Sequence, residues 1–389
     1  MVEFIDSEHL SVKSFCIIPK ISFGCNAKKD LVSALNERGL YRPFIIADQG
    51  VYQAGLVKLI QDLINKPGVE IGEFHNISSE PTLESMNEST LAVREFKPDC
   101  IIGIGGGSSM DTAKVVAMVF VCGGDLKDYL EGKPYNARLP LFLVPTTAGT
   151  GSEVTGDSVF SVNKQKRWIS HSCLVPDLSI LDPELTVSLP KRVTASTGLD
   201  VLCHALEGLM TSYRNVLVEM HASKAVSLVI GNLEKAYWCG NDISARYNMM
   251  LAAMLGGIAN NNAPATFPHS IGYTIANRFN VPHGFSCEVG LPAAMEFNLP
   301  MCTDEFSTVF DACFPLSNKK SKNEKASALI EEIKIIIQKV NGYSRLRDFG
   351  VEEDLVNTLA EECYNLFPRP YNICQHNLED IKNIYRKIY

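Results

Sequence analysis

Several features that would restrict this chain to a special class of protein are missing from its sequence. The twelve cysteines are scattered singly with no CxxC pair, which argues against a disulfide framework and is typical of reduced thiols in a cytosolic protein. The longest apolar run, VVAMVFVC at 115–122, is far too short to span a bilayer. The first ten residues, MVEFIDSEHL, lack the basic and then apolar pattern of a signal peptide. We therefore expect a soluble, cytoplasmic protein with no membrane partner.

A dense basic segment is also missing. The formal net charge is −8, and the closest approach to a basic run, LSNKKSKNEK with Lys319, Lys320 and Lys322, is typical of a solvated loop. This acidic balance argues against a nucleic-acid partner. What is present is the composition of an ordinary globular protein. The 389 residues, 46% hydrophobic and 21% charged, are enough for two domains with large cores.

Strands and helices alternate through roughly the first 185 residues. Apolar segments such as RPFIIAD at 42–48, CIIGI at 100–104 and LPLFLVP at 139–145 predict buried strands. Helical spacing lies between them and predicts helices that include 51–64 and 110–122. Strands that are apolar on both faces indicate a parallel sheet with helices on both sides. From about Ala195 onward the spacing is helical. We predict an α/β domain over residues 1–187 and an all-α domain over residues 188–389.

A glycine-rich loop, GGGSSMDTAK, follows the strand CIIGI directly and leads into a helix. Glycine has no Cβ, so the backbone can approach a phosphate closely, and the N–H groups at the start of the helix then face the anion. The loop predicts a phosphate site, and the alternative is a tight strand–helix turn. It matches neither GxGxxG nor a P-loop, so it does not name the nucleotide. The candidate cofactor residues here are Gly105, Gly106, Gly107, Ser108 and Asp111.

Two further segments support a dinucleotide site. Asp48 ends an early strand, where a carboxylate can bind a ribose 2′-OH and would repel a 2′-phosphate, which favours NAD over NADP. The alternative for Asp48 is a helix cap. The segment VPTTAGTGSEVT follows another buried strand and offers many hydroxyl and backbone donors, although it could also be a plain loop between domains. Its candidate residues are Thr146, Thr147, Ser152 and Thr155.

Three histidines and one aspartate predict a metal site. Asp200 and His204 lie four apart in the helical segment TGLDVLCHALEG, so both side chains leave the same face. His269 and His283 follow later in the chain. Alone, the first pair could be a surface ion pair and His269 a core residue. Together, three imidazoles and a carboxylate suit a divalent metal such as Fe(II) or Zn(II).

Five motifs, in order, resemble the iron-containing (group III) alcohol dehydrogenase family: GGGSSMDTAK, PTTAGTGSEVT, PDLSILDPELT, GLDVLCHALEG and VPHG. The resemblance extends from Phe44 to about Pro292. It implies an N-terminal dinucleotide-binding domain and an all-α metal-binding domain, an architecture shared with dehydroquinate synthase, with the site in the cleft between them. Family members are commonly dimers or larger. The resemblance places the metal ligands at Asp200, His204, His269 and His283, and the dinucleotide contacts at Asp48, Gly105–Ser108, Thr146, Thr147 and Thr155.

One position departs from the family pattern. Typical members have a further histidine four residues after the third ligand, and this chain has Tyr273 there. A gapped alignment could instead place His269 at that second position. We prefer the ungapped alignment, because the spacing of fourteen from His269 to His283 then matches the family. Similar H-x-x-x-Y segments occur in a branch that includes phosphonoacetaldehyde reductases, which suggests an aldehyde substrate with an anionic group. Tyr273 is either a proton relay or part of the pocket wall.

These observations predict a metal-dependent NAD(P)(H) oxidoreductase that interconverts a primary alcohol and its aldehyde. The expected chemistry is Lewis-acid activation of the substrate oxygen and hydride transfer to or from the nicotinamide. Two alternatives stand beside this prediction. One is a lyase like dehydroquinate synthase, which uses NAD transiently and shows no net turnover of NADH. The other is a catalytically silent dinucleotide-binding protein.

Overall fold

The computed structural model describes residues 15–16, 19–78, 80–163, 165–317, 320–340 and 345–389. Internal contacts divide the chain into two compact units. The α/β unit comprises the described residues of Ile18–Pro190 together with Gly240–Met250. The helical unit comprises the described residues of Met1–Ile17, Lys191–Cys239 and Leu251–Tyr389. Residues 318–319, in the predicted lysine loop, lie outside the described residues.

Six parallel strands form the sheet of the α/β unit, in the order β1-β8-β5-β4-β2-β3. They are β1 (Lys20–Phe23), β2 (Pro43–Asp48), β3 (Gly72–Ile77), β4 (Cys100–Gly105), β5 (Leu141–Pro145) and β8 (Leu178–Leu181). Strands β4 and β5 are buried along their whole length, which explains their continuous apolar sequences. Strands β6 (Asp157–Val162) and β7 (Gln165–Ser170) form a separate antiparallel pair, which the sequence analysis missed.

Helices cover both faces of this sheet. They are α1 (Asp30–Glu37), α2 (Gln49–Gln53), α3 (Leu56–Ile64), α4 (Leu83–Phe96) and α5 (Gly107–Cys122). A short helix, α6 (Leu126–Leu130), packs instead against α4 and β7. Along β2, Ile45 packs with the residues of α1 and α3, while Ile46 packs with those of α4 and α5. This alternation confirms the predicted parallel sheet with two covered faces. The helix expected over 51–64 is instead two helices, because Gly55 adopts a positive φ of 77° between them.

The helical unit consists of α7 (Lys191–Leu209), α8 (Val216–Trp238), most of α9 (Ile243–Asn262), α10 (Phe267–Phe279), α11 (His283–Glu288), α12 (Leu291–Cys313), α13 (Lys322–Val340), α14 (Val356–Leu366) and α15 (Leu378–Ile388). Helix α7 is buried almost continuously from Thr194 to Leu209, and it packs against α8 and α11. A helix buried on nearly every side lies at the centre of its unit. Any polar side chain that α7 carries therefore needs a partner inside the protein.

Within the described residues, one helix is long and apolar enough to cross a bilayer by length and composition. This is α8, whose most apolar window has a mean hydropathy of 1.2. It packs against α7, α12 and α13. Because core helices of soluble proteins meet the same criteria, α8 is weak evidence for a membrane span.

Candidate metal and nucleotide sites

Helix α7 carries three ionisable side chains on one face. Asp200, His204 and Glu207 lie at positions i, i+4 and i+7, so they project in the same direction along successive turns. Their exposed fractions are only 2%, 6% and 0%. Buried carboxylates and imidazoles are costly unless they are paired or bound to a metal ion, so this face of α7 is the first indication of a site in the helical unit.

Asp200 lies among the three predicted histidines. Its Oδ1 atom is 3.9 Å from Nε2 of His269, which lies in the first turn of α10, and 3.8 Å from Nε2 of His283, the first residue of α11. Its Oδ2 atom is 3.9 Å from Nδ1 of His204. These separations are too long for hydrogen bonds. Two atoms that are each about 2.1 Å from a shared ion lie roughly 3–4 Å apart, so the spacing suits joint coordination.

Oδ1 of Asp200 and Nε2 of His269 are buried, face each other at 3.9 Å and have no hydrogen-bond partner among the described residues. Buried polar atoms of folded proteins nearly always have a partner. A divalent cation between them would satisfy both atoms, and nitrogen with carboxylate oxygen is a donor set that Fe(II) and Zn(II) accept. The residues present therefore fit a metal ion.

The structure adds a thiol that the sequence analysis missed. The candidate ligand atoms of Asp200, His269, His283 and Cys287 all lie within 4.8 Å of one another. His204 is not in that compact group, although its ring stacks on the ring of His269 with centroids 4.8 Å apart. The signal was present in the sequence, because Cys287 follows His283 by four residues, about one helical turn. All four predicted ligands thus come together, with Cys287 as a further donor.

Opposing electrostatic effects act on the cluster. Burial disfavours the ionised form of Asp200, but attraction to His204, His283 and His269 outweighs it and holds the pKa of this carboxyl below its usual value. Burial likewise disfavours the protonated form of His269, but the charge and hydrogen bond of Glu207 outweigh it and raise the pKa of the imidazole. Asp200 is therefore ionised near neutral pH, which is the form that binds a metal ion.

Tyr273 borders the cluster, one turn after His269 on α10. Its ring centroid is 6.2 Å from that of His269 and also 6.2 Å from that of His283. The guanidinium carbon of Arg369 lies 5.9 Å from the same ring. Burial raises the pKa of the Tyr273 phenol, so the hydroxyl keeps its proton near neutral pH. It can donate a hydrogen bond there but is a poor base.

In the α/β unit, the glycine loop forms the start of helix α5. The helix begins at Gly107, three residues earlier than the 110–122 that the sequence indicated, because Gly106 is its N-cap. Gly105 has a φ of 149°, and a Cβ there would lie 2.4 Å from Oγ of Ser109. A side chain at this position would be strained and would clash. The backbone N–H groups in the first turn of a helix point out of its N-terminus, where the positive end of the helix dipole suits an anion.

The second predicted segment lies against this loop. A Cβ on Gly106 would lie 3.3 Å from Oγ1 of Thr147, and one on Gly107 would lie 2.9 Å from Cγ2 of Thr150. Thr146 donates its N–H to the carbonyl of Gly105 at 2.9 Å. The structure therefore brings the two glycine-containing segments, some forty residues apart in sequence, to the same end of strands β4 and β5.

Asp48 is a helix cap, which was one of the two alternatives. Its carboxylate accepts the N–H of Val51 at 3.0 Å at the start of α2, and the hydroxyl of Ser109 at 3.1 Å. It therefore touches the glycine-rich loop. Each bond occupies a different carboxylate oxygen. Because each oxygen can accept a second bond, the cap does not prevent contact with a ribose.

Asp111, Ser152 and Thr155 meet inside the unit around a lysine that the sequence analysis did not select. Lys114 is fully buried and donates to Oγ of Ser152 at 2.8 Å, to Oγ1 of Thr155 at 3.2 Å and to a carbonyl of β6 at 2.7 Å. Asp111 accepts from Oγ of Ser152 at 2.6 Å. Burial lowers the pKa of Lys114 and raises that of Asp111. A lysine within the apolar segment MDTAKVVAMVF was the available signal.

Comparisons with known proteins identify the family. A family described as iron-containing alcohol dehydrogenase matches residues 19–183, and the C-terminal part of the Fe-containing alcohol dehydrogenase family matches residues 194–389. Long-chain-alcohol dehydrogenase 1 of Geobacillus thermodenitrificans is 32% identical over 357 residues, 91% of this chain and 90% of the relative. Sulfoacetaldehyde reductase of Bilophila wadsworthia is 29% identical over 352 residues, 89% of this chain and 91% of the relative.

The fold agrees with this relationship. A crystal structure of 1,3-propanediol oxidoreductase superposes with a TM-score of 0.92 and 27% identity, covering 97% of this chain and 100% of that one. This match confirms the predicted combination of an α/β dinucleotide-binding architecture and a helical C-terminal region. The family matches extend over nearly the whole chain, and they include the segments that hold the histidine cluster and the glycine loop. The chain belongs to the iron-containing alcohol dehydrogenase family.

Proposed function

We propose that this oxidoreductase is a metal-dependent, NAD(H)-linked enzyme that interconverts a primary alcohol and its aldehyde. The observation that carries the proposal is the buried pair of Asp200 Oδ1 and His269 Nε2, 3.9 Å apart, with His283 at a similar distance. We assign the metal ligands to Asp200, His204, His269 and His283. The long-chain-alcohol dehydrogenase relative supports an alcohol or aldehyde as the substrate.

The chain's own residues prepare the helical unit for this reaction. A divalent ion bound there would supply a Lewis acid for the substrate oxygen, and NAD(H), when bound, the hydride acceptor or donor. The ionised Asp200 contributes one negative charge, and three neutral imidazoles contribute none. With these ligands a divalent ion would keep a net positive charge, which a Lewis acid for an alcohol or carbonyl oxygen requires. Burial of Asp200, His204 and His269 shields these side chains from bulk water, which strengthens their electrostatic attraction for an ion.

In the α/β unit, we assign the pyrophosphate to the first turn of α5, where the backbone of Gly105–Ser108 offers N–H donors. Thr146, Thr147, Ser152 and Thr155 supply nearby hydroxyls, and Asp48 is assigned to the adenosine ribose. Asp111 and Lys114 act from behind the loop, because their contacts in the interior fix the position of Ser152. The positive end of the α5 dipole adds to the attraction for the anion.

For the substrate we propose an aldehyde that carries an anionic group. The support is Tyr273 at the position where the family usually has histidine, and the sulfoacetaldehyde reductase relative. Tyr273 is either a proton donor or part of the pocket wall, and Tyr273→Phe separates these roles. A donor role predicts a lower kcat for aldehyde reduction with little change in KM. An unchanged kcat would assign the side chain to the wall.

The first experiment is metal analysis of anaerobically purified protein combined with NADH oxidation assays. The panel pairs a neutral aldehyde such as propanal with sulfoacetaldehyde and phosphonoacetaldehyde. About one equivalent of iron or zinc and metal-dependent net oxidation of NADH are expected, with higher kcat/KM for the anionic aldehydes. A higher kcat/KM for propanal would refute the proposal of an anionic substrate, but it would leave the proposed enzyme class intact. Metal binding without net NADH turnover would point to lyase chemistry.

Two variants test the ligand assignment. His283→Ala should lose the metal and the activity while the α/β unit still binds NADH. His221→Ala is the matched control, because His221 lies on α8 with its ring stacked on Phe15 and is not among the assigned ligands. Full activity in metal-stripped protein would refute the Lewis-acid role.

A third variant tests the cofactor assignment. Asp48→Asn keeps an acceptor for the N–H of Val51, so the cap of α2 is retained while the charge is lost. The ratio of kcat/KM for NADPH to that for NADH should rise by about tenfold, because repulsion of the 2′-phosphate is removed. An unchanged ratio would refute the ribose contact. Asp48→Gly removes the helix cap as well as the charge. The difference in stability between Asp48→Gly and Asp48→Asn therefore measures what the cap contributes.

A further inference from the structure

Glu207 lies directly behind the metal cluster, on the same helix as Asp200. Its side chain is completely buried, and its Oε1 atom lies 2.6 Å from Nδ1 of His269. No arginine or lysine among the described residues forms an ion pair with it. A buried carboxylate that forms no ion pair with a lysine or arginine requires other hydrogen-bond donors. His269 supplies one of them.

The second donor comes from the backbone at the start of α10. The N–H of Thr266, the N-cap residue of that helix, donates to Oε2 of Glu207 at 2.5 Å. His269 is the third residue of α10, so both donors lie in its N-terminal turn. The positive end of the helix dipole favours a carboxylate at this place. Glu207 therefore accepts hydrogen bonds both from the ring of His269 and from the backbone at the start of the helix that carries His269.

This contact determines which nitrogen of His269 faces the metal cluster. A carboxylate can only accept a hydrogen bond, so Nδ1 must carry the proton that it donates to Glu207. In the neutral imidazole, Nε2 is then left with its lone pair. That atom lies 3.9 Å from Oδ1 of Asp200 and has no hydrogen-bond partner among the described residues.

We propose that Glu207 is a positioning residue for the metal site, which fixes the tautomer and orientation of His269 so that Nε2 is presented to the ion. The inference rests on the proposed metal-dependent function. Carboxylates that accept from the distal N–H of a metal-bound histidine raise its strength as a ligand, and their loss typically weakens metal binding about 10- to 100-fold. Helix α7 thus supplies two of the assigned ligands, Asp200 and His204, and the support for a third, His269 of α10.

The experiment measures the affinity of the metal-stripped protein for Zn(II), by competition with a chelator of known affinity. Glu207→Gln keeps the shape of the side chain and an amide oxygen that can accept from Nδ1, but it removes the charge. Glu207→Ala removes the contact completely. The matched control is Glu305→Gln, because Glu305 is a nearly buried carboxylate paired with Arg214 at 2.9 Å elsewhere in the helical unit. Thermal unfolding of each metal-free variant is recorded in parallel.

We expect the Kd for Zn(II) to rise about 10- to 100-fold in Glu207→Gln, further in Glu207→Ala, and less than about twofold in Glu305→Gln. If Glu207→Gln lowers the thermal stability of the metal-free protein but leaves the Kd unchanged, Glu207 is only a structural cap of α10. That outcome overturns the inference and leaves the proposed function intact. If wild-type protein binds no Zn(II) or Fe(II), the proposed function fails and this inference with it.

A second measurement is made on wild-type protein, so its result does not depend on how well the Glu207 variants fold. Histidine labelled with ¹⁵N in metal-free wild-type protein reports the tautomer of each ring by NMR. The signals of His269 are assigned through their loss in His269→Asn. Burial lowers the pKa of this imidazole but Glu207 raises it more, so the spectra are recorded at alkaline pH, where the ring is neutral. A neutral ring protonated on Nδ1 is expected, and a ring protonated only on Nε2 would overturn the inference.

Discussion

Helix α11 crosses helix α7 at Gly284, next to the proposed ligand His283, and this crossing leaves no room for a side chain. A Cβ on Gly284 would lie 1.8 Å from the carbonyl oxygen and 2.7 Å from the carbonyl carbon of Ser196. Ser196 is in α7, four residues before Asp200. Its backbone cannot move alone, because α7 is buried on almost every side. Gly284→Ala must therefore push the two helices apart.

The expected size of the effect follows from this contact. Overpacking typically costs about 1–3 kcal/mol, and a clash with helix backbone belongs at the upper end, so we expect about 3 kcal/mol or more. Restoring a normal contact requires a shift of about 1 Å or more. Nε2 of His283 now lies 3.8 Å from Oδ1 of Asp200. Because a productive site tolerates only about 0.5 Å of error, metal binding should also be lost.

Gly231→Ala is the matched control. Gly231 is inside helix α8, and a Cβ there would meet no heavy atom within 4 Å. Since glycine in a helix costs about 0.5–1 kcal/mol relative to alanine, this substitution should stabilise the protein slightly.

Thermal unfolding of the metal-free variants and Zn(II) titration measure both effects. A domain of this size shifts its Tm by about 2–4 °C per kcal/mol. Gly284→Ala should therefore unfold roughly 6–12 °C below wild type. The Tm of Gly231→Ala should equal or exceed that of wild type. A Gly284→Ala protein with wild-type Tm and wild-type Zn(II) affinity would show that the α7–α11 crossing does not position the ligands.

Three further outcomes are expected. Gly105→Ala should weaken NADH binding by about tenfold in a fluorescence titration, because the loop must relieve a contact of 2.4 Å with Ser109, and an unchanged Kd would refute this role of the loop. Burial opposes ionisation of Asp177, but Arg38, Arg138 and a backbone N–H outweigh burial and lower the pKa of this carboxyl. The ionised Asp177 therefore stabilises the folded protein fully at pH values above its unfolded-state pKa. This stabilisation is lost as the pH falls through the lower folded-state pKa. Asp177→Asn should cost about 2 kcal/mol at pH 7 and flatten the decline of the unfolding free energy below about pH 4, and equal acid slopes for the two proteins would contradict this. If the ion is present at 100 times its Kd, removing it with a chelator should lower the unfolding free energy of the helical unit by about 2.7 kcal/mol. The same treatment should not change the Tm of His283→Ala, because this variant is expected to bind no ion.

Much of the α/β unit could be predicted from the sequence because its signals are local. Continuous apolar runs predict strands that are buried on both faces, and β4 and β5 confirm this. The glycines between β4 and α5 predict a tight, side-chain-free turn, and the positive φ of Gly105 agrees. The sequence did not predict that one helix is divided at Gly55. The spacing of apolar residues indicates which face of a helix is buried, but it does not reveal a single residue with a positive φ.

The four candidate ligands could be selected by residue type, and the family that they suggested is confirmed by the comparisons. Their partners could not be selected, because contacts between helices depend on packing angles that no local pattern encodes. Glu207 reaches His269 across 62 residues of sequence, and Ser152 reaches Asp111 across 41. The sequence by itself determined the buried parallel strands, the glycine loop and the residue types of the candidate ligands. Only the tertiary structure decided that Cys287 joins the cluster, that Asp48 also caps a helix, and that Glu207 turns His269 towards Asp200.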